Sequence, residues 1–177
     1  AAERPTAGEI RVNGMEVNRL PPRRIPYLRR MLGLVFQDLK LLPRRTAYEN
    51  ILFALEAVGA EKGEAAKKAT LALRGVGLER RAGCLPSQLS AGEQQRLAIA
   101  RAIVNDPVVL LADEPTGNLS VSAAEEIIRL FEKINLRGTT VVLATHNEGL
   151  PSLCPKEKIV LEEGRLVDGA AASPAGS

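Results

Sequence analysis

The sequence predicts an α/β fold: a mainly parallel sheet with helices on both faces, plus a helical subdomain inserted between about residues 39 and 104. Three observations carry that prediction. Two largely apolar runs, VVLLA at 108–112 and TTVVLAT at 139–145, have the character of strands covered on both faces. Between them, residues 122–135 place Ile127, Phe131 and Ile134 on one side of a helix. Strand, helix, strand within this length is a βαβ unit, so the two strands should lie parallel.

The other elements follow in order. GEIRVNGMEV alternates about an Asn-Gly pair and reads as a β-hairpin over 9–17. Pro26 favours a short helix that starts there and ends near Met31. LGLVF at 32–36 reads as a short buried strand. Ile51, Leu55 and Val58 keep helical spacing until Gly59 stops it, and a second helix covers 64–74 before another glycine. The polar PSQLSAGE opens a third helix that runs to about Val104. EKIVLEEGRLV is a final hairpin turning at Gly164. The domain is expected to span 1–168, and the low-complexity residues 169–177 to be a disordered tail.

Composition narrows the function classes. The chain has 177 residues, enough for one domain with a core, and that core must be aliphatic because aromatics are only 3%. No apolar run approaches the ~20 residues that cross a bilayer. A net charge of +3 is too small to argue for nucleic acid. The opening AAERPTAGE forms no signal peptide and lacks an initiator Met, so the chain need not begin where its gene does. Cys84 and Cys154 have no metal spacing and read as two free thiols.

In open parallel sheets, ligands bind beyond the carboxyl ends of the strands. Asp113 and Glu114 stand where the run 108–112 ends, with Pro115 preventing its continuation. One carboxylate at that edge can hold Mg²⁺ beside phosphates, usually through water, and a second can orient or deprotonate a water. A solvated loop is the competing reading; the strand's delivery of both groups to the ligand edge favours the site. Ser90 and Glu93 have capping-box spacing, which makes Ser90 a helix N-cap. Gly92 then falls in the first turn, where glycine costs about 1 kcal/mol against alanine but would let an anion approach the free N–H groups. His146, the only histidine, follows the strand over 139–145 and could donate to a terminal phosphate. Gln37 ends another strand, where its carbonyl oxygen can reach a metal or a water. The run from Arg19 to Arg45 is basic throughout apart from Asp38. It is either a solvated face or a surface attracted to anionic lipid headgroups or an acidic partner loop. Without interleaved aromatics it does not argue for nucleic acid.

Gln37, LSAGEQQR at 89–96, VVLLADEPTGNLS at 108–120 and ATH at 144–146, in this order, resemble the Q-loop, signature, Walker B, D-loop and switch histidine of ABC-type ATPases, which have a P-loop NTPase-like fold. Within that family, YLRRMLGLVFQDLKLLPRRTAYENILFAL and IVNDPVVLLADEPTGNLS are most similar in wording to the bacterial cell-division branch, FtsE, whose members work with the membrane protein FtsX. The lipoprotein-release and macrolide-export ATPases are the alternative. The resemblance implies ATP and Mg²⁺ as ligands, with Asp113 and Gln37 on the metal, Glu114 as general base and His146 on the γ-phosphate. It implies a head-to-tail homodimer in which Ser90, Ala91, Gly92 and Glu93, with Ser120 at the contact, serve the other subunit's nucleotide. It also implies an FtsX-like integral membrane partner and a peripheral position on the cytoplasmic face of the inner membrane.

Three departures stand out. Ala91 replaces a family glycine, and Ser120 replaces the D-loop aspartate. No G-x-x-x-x-G-K-[ST] occurs, nor even a Gly-Lys pair. That loop supplies the N–H cradle and lysine for the β- and γ-phosphates. In the family it precedes the hairpin with which this chain opens, so the phosphate holder is expected to be cut off rather than replaced. The chain alone is then expected to bind ATP poorly, to hydrolyse it negligibly and to expose apolar surface. The competing reading is a degenerate partner that donates Ser90 to an intact subunit's ATP.

Overall fold

The computed structural model describes residues 5–147, 149 and 156–169, so Cys154 and most of the expected tail lie outside the described residues. The chain divides into two compact units, 1–145 and 146–177.

The first unit opens with a small hairpin, β1 (Arg11–Val12) and β2 (Met15–Glu16). Its turn uses positive φ at Asn13 and Gly14, as a two-residue hairpin loop demands. A 3₁₀ turn, Pro22–Arg24, leads into helix α1 (Ile25–Arg30), which ends within a residue of the boundary expected at Met31. Strand β3 (Leu32–Val35) follows.

Helices α2 (Ala47–Glu56), α3 (Lys62–Gly75) and α4 (Ala91–Ile103) come next. Thr46 caps α2 through a reciprocal box with Glu49, a T-x-x-E signature that the apolar spacing alone does not register. The three helices share one aliphatic core that includes Ile51, Leu55, Leu73, Leu78 and Leu97. This core is built almost wholly of residues 47–104, within the stretch expected to form the helical subdomain.

Strand β4 (Val109–Asp113), helix α5 (Val121–Leu136) and strand β5 (Thr140–Ala144) complete the unit. The sheet order is β3-β4-β5, all parallel, with β4 central. The expected βαβ unit is therefore present, and its two strands are direct neighbours. The buried face carries Val35, Leu110 and Ala112, with α4 packed on β3 and α5 on β5. Gly33 lies on that face because only a bare α-carbon fits. A Cβ there would sit 2.7 Å from the Ala102 carbonyl oxygen and 2.9 Å from Leu110 Cδ1. Gly33→Ala is expected to lower the stability to urea by about 1–3 kcal/mol, the usual cost of overpacking a rigid contact.

The opposite face is open among the described residues. Leu34, Leu111 and Val142, aligned across the three strands, are 44%, 37% and 50% exposed. In the second unit, β6 (Ile159–Glu162) and β7 (Arg165–Gly169) pair as the expected hairpin, turning through positive φ at Glu163 and Gly164.

Candidate functional site

The carboxyl edge of the sheet assembles from its strand ends. Asp113 is the last residue of β4, exposed, and registered against Ala144 on β5. The chain then turns sharply. Glu114 takes a left-handed conformation, φ 45°, which is unfavourable for any residue with a Cβ. Two hydrogen bonds hold it there: its N–H donates to the Ala144 carbonyl at 2.9 Å and its carbonyl accepts from Gly117 N–H at 3.3 Å; the next residue, Pro115, is buried. The side chain is aimed as well, since the Thr145 hydroxyl donates to its Oε2 at 3.0 Å. The backbone of Glu114 is thus strained and hydrogen-bonded on both sides, and its carboxylate is oriented.

Gln37 lies two residues past β3, exposed, at the same end of the sheet. The loop that follows it is clamped from two helices. Arg101, on α4, donates to the Leu39 carbonyl at 2.8 Å and to the Lys40 carbonyl at 2.7 Å, and both of those residues have positive φ. Burial lowers the Arg101 pKa from its ordinary value. Asn50, on α2 and fully buried, accepts from Leu42 N–H at 2.8 Å. Its two amide hydrogens are shared among the carbonyls of Leu42, Arg45 and Thr46, at 3.2, 3.0 and 3.0 Å from the nitrogen.

Ser90 caps α4 as its spacing predicts. Its hydroxyl accepts from Glu93 N–H at 3.3 Å, and its own N–H donates to Glu93 Oε2 at 2.8 Å. That backbone hydrogen bond is the main cause holding the Glu93 carboxyl below its usual range; the Ser90 hydroxyl and Arg81, 3.1 Å away, act in the same direction. Ala91 is the first residue of the helix and is exposed. At Gly92 an added Cβ would come no nearer than 3.6 Å to the Ala123 Cβ, an ordinary contact. Packing within this chain therefore does not require glycine at that position. The same distance places the first turn of α4 against the first turn of α5. Ser120, where the family pattern has aspartate, is the N-cap of α5 and accepts from Ala123 N–H at 3.4 Å.

The strand ends thus bring Asp113, Glu114 and Thr145 together. His146 is exposed and is the first residue of the second unit. Thr145, Asn50 and Arg101 had no assigned role from the sequence. The available signals were a lone Asn inside YENILFAL and a lone Arg inside LAIARAIV, each a polar residue in an apolar helical run.

The residues present suit the metal and water side of a magnesium nucleotide, not its phosphates. Asp113 and the oriented Glu114 supply oxygen donors of the kind Mg²⁺ takes. Among the described residues no group of three or more His, Cys, Asp and Glu side chains could hold an ion by itself. The sequence contains no glycine-rich lysine loop to cradle phosphates.

The family model described as ABC transporter matches residues 1–117. The cell division ATP-binding protein FtsE of Mycobacterium tuberculosis (strain ATCC 25618 / H37Rv) is 48% identical over 167 residues, which cover 94% of this chain and 73% of that protein. FtsE of Bacillus subtilis (strain 168) is 46% identical, covering 93% of this chain and 72% of that protein. FtsE of Escherichia coli (strain K12) is 47% identical, covering 94% and 75%. Among solved structures, a dimeric post-hydrolysis state of the ATP-binding cassette MJ0796 bound to ADP and Pi superposes with a TM-score of 0.82 at 35% identity, covering 96% of this chain and 75% of that one. A dimeric structure of MJ0796, a bacterial ABC transporter cassette, gives 0.73 at 37% identity, covering 86% and 68%.

Proposed function

The chain belongs to the ABC transporter family, and from that premise we propose that it is the ATP-binding, ATP-hydrolysing part of an FtsE-like complex in bacterial cell division. The observation that carries this reading is the end of β4, where Asp113 and a strained, Thr145-oriented Glu114 stand side by side at the ligand edge. In this reading Asp113 holds the metal through water, with Gln37 contributing its carbonyl oxygen. Glu114 takes a proton from the attacking water, and His146 donates to the terminal phosphate. Mg²⁺, when bound, neutralises charge developing on the transferred phosphoryl group. The domain comprises residues 1–168, with the helical subdomain at about 39–104.

Ser90, Ala91, Gly92 and Glu93 serve a nucleotide held by a second copy, head to tail, with Ser120 at the contact. Two features support that assignment: Gly92 is bare for no reason internal to the chain, and the two similar solved cassettes are dimeric. The membrane partner is an FtsX-like integral protein, and the chain sits peripherally on the cytoplasmic face. No helix among the described residues is long and apolar enough to cross a membrane. The Gln37 loop, tied to α4 by Arg101, is the segment through which nucleotide state reaches that partner.

These 177 residues contain no phosphate cradle, so the chain by itself grips ATP weakly. Titration with a fluorescent ATP analogue in Mg²⁺ should show no saturation tighter than about 1 mM, which is only about 4 kcal/mol of binding. A micromolar dissociation constant would contradict the weak-grip reading.

A further inference from the structure

The basic run between Arg19 and Arg45 is not absorbed by this function, and the structure divides it. Lys40 pairs with Asp38, and Arg45 lies over the Phe53 ring, 5.9 Å from its centroid. Five arginines remain between residues 19 and 30. The chain's net charge is +3, so without those five it would be −2. No Asp or Glu occurs from residue 17 to residue 37. Arg19 pairs with Glu16 at 3.5 Å, but among the described residues no carboxylate lies within ion-pair distance of Arg23, Arg24, Arg29 or Arg30. All four are exposed, on the 3₁₀ turn and on α1.

Their platform is fixed to the body of the first unit. Leu28, 2% exposed, and Leu20, 8% exposed, anchor the segment inward. Tyr27 points outward, 60% exposed, with the Arg30 guanidinium 5.7 Å from its ring centroid. A short, cationic element with an exposed tyrosine suits a planar anionic surface: guanidinium groups meet phosphates, and a tyrosine ring settles at headgroup depth.

We propose that the 3₁₀–α1 platform, through Arg23, Arg24, Arg29, Arg30 and Tyr27, is a direct docking site for anionic lipid headgroups. The proposal deepens the peripheral membrane reading above and rests on it, adding a contact that needs no protein partner. Its attraction is electrostatic, so it weakens as salt shortens the Debye length.

The test is co-sedimentation of the 177-residue chain with protein-free vesicles, either of phosphatidylcholine alone or with about 30% phosphatidylglycerol, a fraction that gives a surface potential attractive to polybasic segments. The chain should partition onto the anionic vesicles only. The quadruple variant R23Q/R24Q/R29Q/R30Q should lose partitioning by about tenfold or more, given the typical contribution of each basic residue near such a surface. A control with equal charge loss elsewhere, K62Q/K67Q/R74Q/R80Q, should stay within about twofold, and circular dichroism of both variants separates misfolding from lost contact. Inorganic phosphate at the same total phosphorus should not displace the chain. Equal loss in the two quadruple variants, or no partitioning of the parent, overturns the site. Saturable binding of a Glu-rich peptide that competes with the vesicles also overturns it, assigning the platform to an acidic protein loop. Because the vesicles contain no protein, a negative result removes the lipid contact and leaves partner-mediated recruitment standing.

Discussion

Glu114→Gln is expected to lower turnover by about a hundredfold or more without loosening the fold. The measurement needs a version of this chain that can hold phosphates, made by joining a segment that carries a G-x-x-x-x-G-K-[ST] loop ahead of residue 1. In that chimera the substitution should lower kcat by about a hundredfold or more, the usual contribution of a positioned general base. The structure explains why stability should hold. The carbonyl oxygen of the substituted amide can still accept from Thr145 Oγ1, a contact of 3.0 Å in the parent. The left-handed turn is set by backbone bonds to Ala144 and Gly117, which the substitution leaves alone. Thr145→Val tests the aim of the carboxylate separately. It should cost about tenfold, less than removal of the base itself, because a small misplacement slows the step without eliminating it. If the Glu114→Gln chimera keeps more than about a tenth of the parent rate, Glu114 is a turn residue and the base lies elsewhere.

Asn50→Leu should be the most damaging change outside the ligand edge. Leucine is similar in size and apolar, so it suits the surrounding core by volume. It nevertheless removes every side-chain bond to the loop: the Leu42 and Thr46 carbonyls keep backbone partners, but the Leu42 N–H and the Arg45 carbonyl lose theirs. An orphaned buried polar group costs about 1–3 kcal/mol. Residues 42–45 are half-buried or exposed, so water recovers part of that loss. The expected net is about 3 kcal/mol, read from the urea midpoint at unchanged slope. Thr46→Ala, which removes only the α2 cap, should cost about 1 kcal/mol and serves as the scale. The Asn50 variant should also free residues 38–46 for rapid amide exchange, because the remaining clamp, Arg101, reaches only Leu39 and Lys40. A loss below about 1 kcal/mol would mean that the loop finds its conformation without Asn50.

Capping boxes, Asn-Gly turns and apolar periodicity act over short stretches of chain, and so could be read directly. The hairpin turn at Asn13 and Gly14, the Ser90 cap, the span of α5 and the stopping of β4 at Asp113 all follow from local rules. Asn50 and Arg101 could not be assigned that way. Each is a polar residue in an apolar stretch of its helix, and its partners are backbone groups of the loop, four to eight positions away for Asn50 and 61–62 for Arg101, visible only when the loop is laid against the helix. The pairing of Glu114 with Thr145 spans 31 residues and depends on β4 and β5 being parallel neighbours in one register.

The sequence by itself determined the class of sheet, the order of its elements, the acidic strand end and the absence of a phosphate loop, because each is a property of residues near one another along the chain. Tertiary structure alone decided that Glu114 is held left-handed and aimed by Thr145, that the Gln37 loop is tied to α4, and that the face of Leu34, Leu111 and Val142 is open among the described residues. An apolar strand looks alike whether or not anything lies above it. Only the packing of distant segments, governed by contact and not by local propensity, separates the two.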